Sequence, residues 1–161
     1  MGQLEESRQK YGNGYYAQQL ETGLQFQDVV TRELYQRGIV VVGYASRRFQ
    51  MQHGENMLGA EIKRDGKFRG RCPPALWIET AEKAHPDRPE FTPSGICRED
   101  NAWLFVIGDE QTIWIFSTKF LRMLCPAKKY NRVETPTSQA WLLPLGEADK
   151  YCLRRIDMED G

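Results

Sequence analysis

The spacing of apolar residues predicts a long amphipathic helix early in the chain, followed directly by a buried strand. Over residues 15–37, apolar side chains recur every three or four positions, and Gly38 supplies a stop signal. The run 39–44 is short and β-branched, which is typical of a strand that is buried on both faces. Residues 1–14 are polar and contain a Gly-Asn-Gly turn signal, so we expect a short helix or a loose arm there.

Further apolar runs predict several more strands and one short helix. The strands are expected, in chain order, at 49–52 (irregular), 60–65, 75–81, 102–107, 112–116 and 140–145. The fourth and fifth of these form a hairpin, because a short Gly-containing turn joins them. A helix is predicted at 118–124 with Ser117 or Thr118 as its N-cap. Residues 85–101 are rich in Pro and Gly and are expected to be mostly loop.

This order of elements predicts a single α/β domain with a central mixed β-sheet and flanking helices. A length of 161 residues fits one domain with its own core, which we place at about residues 15–145. Hydrophobic residues make up 40% of the chain and aromatic residues 11%, which excludes a disordered protein.

Charge and cysteine usage narrow the class of function. The formal net charge is zero, so contact with nucleic acid would have to come from a local basic patch. The four cysteines form no CxxC pair and the two histidines do not follow zinc-finger spacing, so we expect no zinc site. The N-terminus lacks the apolar stretch of a signal peptide and no apolar run is long enough for a membrane span. We therefore expect a reduced, cytoplasmic protein without membrane association.

Charged side chains on two central strands form the candidate site. Strand side chains alternate between faces, so Glu61, Lys63 and Asp65 share one face. Glu79 lies on the next strand, and Lys83 shares its face if that strand continues. Such charges are costly on a buried strand unless they are paired or bound to a metal. If the two strands pair, they bring together oxygen ligands for Mg²⁺ and an ammonium that can orient water or offset phosphate charge.

This arrangement resembles the PD-(D/E)XK nuclease superfamily, the fold of many restriction enzymes and Holliday-junction resolvases, over residues 20–117. The resemblance implies a restriction-endonuclease-like core and hydrolysis of phosphodiester bonds with Mg²⁺ or Mn²⁺, with DNA as the expected substrate. Asp65 would match the Asp of the motif and Glu79 its (D/E), with thirteen residues between them. An alanine stands two positions after Glu79, where the motif has lysine, so that role would pass to Lys63 or Lys83.

A second register of the same motif is also open. Glu61 and Lys63 form a literal ExK, with Glu55 six residues upstream as its acid. This interval leaves little room for a turn between two strands, so the register with Asp65 is preferred. Glu61 stays in the cluster as a metal ligand in either register. In this family the first helix often adds an acid, and Glu21 is the candidate ligand here.

Basic residues flank the acidic cluster and are candidates for phosphate contacts: Arg47, Arg48, Arg64, Lys67, Arg69 and Arg71. The displaced lysine keeps an alternative open, namely an inactive relative of the same fold that binds nucleic acid or a protein. A third hypothesis is an unrelated α/β domain whose charges form structural ion pairs. Nucleases of this type often act as homodimers, although the sequence indicates no particular interface.

Overall fold

Residues 13–158 are described by the computed structural model. The helices in this range are α1 (Asn13–Gln36), α2 (Arg47–His53), α3 (Thr118–Leu124) and α4 (Leu145–Tyr151). The strands are β1 (Ala60–Arg64), β2 (Ala75–Glu82), β3 (Thr92–Pro93), β4 (Leu104–Gly108), β5 (Thr112–Ser117), β6 (Arg132–Glu134), β7 (Ser138–Pro144) and β8 (Arg154–Asp157). The prediction of a mixed α/β fold is confirmed. None of these helices is long and apolar enough to cross a bilayer.

Within the described residues, the strands form two four-stranded sheets. The first has the order β1-β4-β5-β8, with β1 parallel to β4 and the other pairs antiparallel. The second has the order β3-β2-β7-β6 and is antiparallel throughout. The candidate site was argued on the condition that the second and third predicted strands pair, and they do not. Strand β1 pairs with β4 in the first sheet, while β2 lies between β3 and β7 in the second. The two strands therefore belong to different sheets.

Side chains of the first sheet alternate between two apolar layers. Val106 and Ile113 pack with Phe26 of α1 on one face. On the other face Ile107 packs toward Ile78 of the second sheet. The period of two along each strand separates these sets, and burial of both layers supplies the main driving force for folding. The layers are therefore α1, the first sheet and the second sheet, in that order.

Helix α1 forms where the apolar period predicted it. Phe26, Val30 and Leu34 are spaced by four residues, and all three are almost fully buried against the first sheet. Beyond the last helical residue, Gly38 adopts a φ of +80°, a conformation that glycine reaches without steric cost. The sequence therefore predicted this helix correctly to within two residues at its start and one at its end.

The strand predicted at 39–44 is wrong. The segment makes an isolated bridge at Gly43 rather than a ladder. Val40 and Val42 are 62% and 47% exposed, and Val41 packs only in part against the layer beneath α1. β-branched residues favour an extended backbone, but the exposed side chains show that neither face of this segment is covered as predicted.

The other strand and helix predictions have mixed outcomes. Residues 60–65, 75–81, 102–107, 112–116 and 140–145 lie largely in strands β1, β2, β4, β5 and β7, and 118–124 is α3 with Ser117 as its N-cap. The irregular strand at 49–52 is instead part of helix α2, because the Ser46 side chain caps that helix by accepting a bond from the Phe49 N–H. The core also extends beyond residue 145, since α4 buries Ala148 and β8 buries Ile156.

Candidate functional site

The candidate site lies where the exposed edge of β1 faces the second sheet. Glu61 and Lys63 are in register with Phe105 and Ile107, whose side chains occupy the layer between the sheets. Because β1 is an edge strand, Lys63 lines a cleft, whereas Glu61 is buried beside it. The Lys63 Nζ atom lies 3.0 Å from Glu61 Oε1 and 3.7 Å from Glu79 Oε1. One ammonium group thus bridges carboxylates from two different sheets.

Lys63 carries a permanent positive charge at neutral pH. Burial alone would lower its pKa, but the charges of Glu61 and Glu79 outweigh burial, so the pKa of Lys63 lies above its ordinary value. Glu61 itself is only 2% exposed, so its carboxylate depends on this ion pair for charge compensation. Lys63 can therefore stabilise negative charge, but it is poorly suited to accept a proton.

A tight turn places Glu55 next to β1. The Asn56 side chain donates to the Ala60 carbonyl over 2.8 Å and accepts from the Ala60 N–H over 3.1 Å. Gly59 adopts a φ of +71°, and a Cβ atom there would lie 2.6 Å from the Trp103 ring. These features form a turn within the short interval between Glu55 and Glu61, which was expected from the sequence to be too short for one.

Glu55 is an incompletely compensated acid. Burial, together with the charge of Glu61, raises its pKa from 4.5 to about 7, against the opposing charges of Lys63 and Arg98. Its carboxylate accepts one hydrogen bond, of 3.1 Å, from the Gln27 side chain of α1. A cation bound beside Glu55 and Glu61 would reduce the repulsion between them and favour the ionised form of Glu55.

Glu79 is held in place by two serine hydroxyls. Ser94 Oγ donates to Glu79 Oε1 over 2.8 Å, and Ser138 Oγ donates to Oε2 over 2.9 Å. Gly95 has a φ of +52°, and a Cβ atom there would lie 2.3 Å from the Glu79 carbonyl oxygen. Only glycine lets this loop come close enough for Ser94 to reach the carboxylate. The result is a fixed carboxylate that in turn positions Lys63.

A β-bulge explains why Lys83 does not join the cluster. The register of β2 with β7 shifts after Glu79, which leaves Thr80 as an extra residue. The bulge reverses the alternation of faces beyond this point, so Glu82 lines the cleft. The Lys83 Nζ atom instead lies 4.3 Å from the centre of the Phe91 ring. The expectation that Lys83 shares the face of Glu79 is therefore wrong.

Asp65 is engaged in a structural clamp. Its carboxylate accepts two bonds from Arg71, of 2.7 and 3.0 Å, and two more from the backbone N–H groups of Trp77 and Lys67, of 2.8 and 3.2 Å. Each oxygen therefore already accepts two hydrogen bonds, which fills its capacity. A metal ion could bind Asp65 only by breaking this clamp, so the geometry does not favour the register that sequence reasoning preferred.

Glu21 also lies away from the cluster. It is exposed, and its carboxylate accepts a hydrogen bond of 3.5 Å from Gln25. The face of α1 that lines the cleft instead carries Gln19, Gly23 and Gln27, which are spaced by four residues. This stripe of polar and small residues beside the apolar stripe is a signal that could have identified Gln27.

The predicted basic patch is divided. Arg64, Lys67 and Arg71 line the cleft. Arg64 is paired with Glu110 over 2.6 Å. Three further basic residues do not line it: Arg69, which pairs with Asp109, and Arg47 and Arg48, which are exposed on α2. Sequence reasoning also missed Ser94, Ser138 and Asn56, because nothing in the local sequence indicates that these distant segments meet.

The cleft consists of two parts whose linings share four residues: Gln19, Lys63, Arg64 and Glu79. We call them the acidic pocket, of about 440 Å³, which contains Glu55 and Glu82, and the basic pocket, of about 640 Å³, which contains Lys67 and Arg71. Across residues 13–158, no three His, Cys, Asp or Glu side chains are grouped so that they alone could hold a metal ion. Mg²⁺ typically binds through one or two carboxylates, with waters and substrate phosphate completing the shell. The chemistry of Glu55 and Glu61 fits that mode of binding.

Comparisons with protein-family models, with curated proteins and with solved structures found no match. The function is therefore argued from the site alone.

Proposed function

We propose that this protein is a metal-dependent nuclease of the PD-(D/E)XK type, acting on DNA, with Glu55, Glu61 and Lys63 as its motif residues. The observation that carries the proposal is the position of the Lys63 ammonium, 3.0 Å from Glu61, in the lining of an open cleft that also contains Glu55. This is the alternative register of the motif. Asp65 has no catalytic role in this proposal.

Lys63 and Glu79 act together in the proposed reaction. Lys63 remains protonated and offsets the negative charge that develops on the phosphate in the transition state. Glu79, fixed by Ser94 and Ser138, keeps the ammonium in place between the two sheets. A positive charge that is held in advance stabilises the transition state without reorganisation during the reaction.

Glu55 and Glu61 would hold Mg²⁺ or Mn²⁺. When bound, such an ion polarises the phosphate and makes a bound water easier to deprotonate. Glu61 meanwhile remains paired with Lys63. Because the pKa of Glu55 is about 7, its carboxylate is fully ionised, and ready to bind a cation, only above neutral pH.

Cleavage of a labelled oligonucleotide or plasmid in Mg²⁺ or Mn²⁺ tests the proposal. Glu55→Gln and Lys63→Ala should each lower the cleavage rate by at least about 100-fold, the usual cost of losing a group that stabilises transition-state charge. Asp28→Asn is the control, because Asp28 is an exposed acid of α1 that lines neither pocket. Wild-type rates in Glu55→Gln and Lys63→Ala would disprove the assignment.

One observation favours a second candidate, a non-catalytic binding module. The Lys63 ammonium is already paired with Glu61 and Glu79, so its positive charge is balanced without a bound phosphate. A module of this kind would show salt-sensitive binding without turnover. Thermal melting separates the two, because the nuclease should gain stability from Mg²⁺ or Mn²⁺ and the module should not.

A further inference from the structure

The basic pocket continues the cleft away from the proposed metal-binding carboxylates. Its lining carries four cationic side chains and two carboxylates: Lys63, Arg64, Lys67 and Arg71, and Asp65 and Glu79. The acidic pocket shares Lys63, Arg64 and Glu79 but adds Glu55 and Glu82. The formal charge therefore changes from negative to positive along one continuous cleft. A polyanion that is bound in the acidic pocket would therefore extend into the basic pocket, toward Lys67, where the electrostatic potential is favourable.

Lys67 is suited to contact an external phosphate. Its side chain is exposed and forms no ion pair with any residue that the structure describes. Its backbone N–H donates to Asp65, which Arg71 also holds, so the loop that carries Lys67 is anchored. The anchored backbone thus holds Lys67 at the rim of the basic pocket, and its free side chain can reach a phosphate there.

Trp77 presents an oriented aromatic ring in the same pocket. Trp77 and Glu79 are two residues apart on β2, before the bulge, and therefore share a face. The Trp77 Nε1–H donates to Ser138 Oγ over 3.2 Å, and the same hydroxyl donates to Glu79. One serine therefore fixes both the indole ring and the carboxylate that positions Lys63.

The Trp77 ring is partly exposed at the wall of the basic pocket. Trp77 is half-buried and is not part of the apolar layer between the sheets. The Arg71 guanidinium lies over one face of the ring, 5.6 Å from its centre, and is itself fixed by Asp65, so a base would stack on the opposite face. An aromatic ring beside anchored cations, at the wall of a cleft, is the arrangement by which proteins stack the bases of single strands.

We propose that the basic pocket binds one nucleotide of a single-stranded substrate, with its base stacked on Trp77 and a neighbouring phosphate at Lys67. The inference rests on the proposed function, because it places this nucleotide next to the phosphate cleaved at Lys63. Stacking on Trp77 requires a base that is not paired with a complementary strand. The substrate class is therefore single-stranded nucleic acid or a single-stranded end, rather than an intact duplex.

The test is binding of a fluorescent 12-nucleotide DNA strand, and of the same sequence as a duplex, measured by anisotropy in EDTA so that no cleavage occurs. We expect the single strand to bind more tightly than the duplex. Trp77→Leu should weaken single-strand binding about 10- to 100-fold, the range typical of losing one stacked base. Trp77→Phe should retain most of the affinity. Tyr35→Leu is the control, since Tyr35 is 69% exposed and lines neither pocket.

Lys67→Ala provides an independent measurement. The slope of log K against log salt concentration should fall in magnitude by about 0.7, the value for one phosphate contact to a single strand. Lys128→Ala is the control, because Lys128 is equally exposed and does not line the cleft. Quenching of Trp fluorescence on binding gives a further measurement of contact with the ring. It should occur in wild type and be reduced in Trp77→Phe, so it tests the contact even if the leucine variant folds poorly.

The outcomes separate this inference from the nuclease proposal. Cleavage by wild type together with unchanged binding by Trp77→Leu and Lys67→Ala would overturn the inference and leave the nuclease standing. Binding that depends on Trp77 but yields no product with Mg²⁺ or Mn²⁺ would support the inference and reject the nuclease. Stronger binding of the duplex, or no binding of either form, would also overturn the inference.

Discussion

Replacing Glu55 with glutamine should stabilise the metal-free protein at alkaline pH. The pKa of Glu55 rises from 4.5 to about 7 on folding, because burial and the charge of Glu61 disfavour its ionised form. Between these two values the folded protein holds a proton that the unfolded chain has already released. The free energy of unfolding therefore falls as pH rises through this window, and it is constant with respect to this group outside it.

The magnitude follows from the two pKa values. The difference between 4.5 and about 7 corresponds to about 3 kcal/mol, at about 1.4 kcal/mol for each pH unit. This is an upper value, but it is a measurable part of the roughly 5–15 kcal/mol that stabilises a typical domain. Glutamine cannot ionise, and its side-chain oxygen can still accept the hydrogen bond from Gln27. Glu55→Gln should thus remove the pH dependence without creating an unpaired group.

The assay is urea unfolding of both proteins at pH 5 and pH 8 in EDTA. Wild type should lose up to about 3 kcal/mol relative to Glu55→Gln between these pH values. Groups common to both proteins, including His53 and His85, cancel in this difference. The control is Glu82→Gln, which removes an exposed acid from the same pocket and should follow wild type. Identical pH profiles for wild type and Glu55→Gln would refute the assigned burial and repulsion.

Other predictions test individual contacts. Arg71→Ala leaves the Asp65 carboxylate buried without its cation, and urea unfolding should show a loss of about 3–5 kcal/mol. Ser138→Ala removes a hydrogen bond from both Glu79 and Trp77, and it should cost about 1–2 kcal/mol in the same assay and slow oligonucleotide cleavage. Glu21→Gln should leave the cleavage rate unchanged, because Glu21 does not line the cleft.

Each of these predictions would be contradicted by a specific result. A wild-type urea midpoint in Arg71→Ala would show that Asp65 does not depend on the clamp. Unchanged stability and unchanged cleavage in Ser138→Ala would show that the serine does not hold Glu79 in solution. A large loss of cleavage in Glu21→Gln would restore Glu21 as a ligand and place the metal ion closer to α1.

Elements with a clear period and a local stop could be predicted from the sequence. The apolar stripe of α1 and the β4–β5 hairpin were predicted in this way, because the turn and stop residues lie within the same short stretch. Whether residues 39–44 form a strand could not be predicted in the same way. Its composition favours an extended chain, but whether its side chains are buried depends on which elements pack against it, and that is decided by tertiary structure.

Pairing between strands was the weakest part of the sequence interpretation. Consecutive strands are usually neighbours, and the candidate site depended on the condition that β1 and β2 pair. Instead β1 pairs in parallel with β4, forty residues further along, and β2 pairs with the distant β7. Local patterns carry no information about such long-range partners, so the residues could be found but not their arrangement.

The same limit explains why the wrong register was preferred for the candidate site. The interval between Glu55 and Glu61 looked too short because a turn was assumed to need several residues between two ladder strands. In the structure the segment before β1 is not a ladder strand, and the Asn56 side chain supplies the hydrogen bonds that a longer turn would have made.

The structure distinguishes the first acid of the preferred register, Asp65, from that of the second register, Glu55, by their hydrogen-bond partners. Asp65 has a full set of donors, whereas Glu55 has one hydrogen-bond donor and a nearby like charge. A buried carboxylate that is fully hydrogen-bonded stabilises a loop, while one left partly uncompensated costs free energy that a bound cation can recover. In this protein, the number of hydrogen bonds that a carboxylate accepts thus distinguishes a structural acid from a candidate metal ligand. Motif spacing in the sequence does not encode that number.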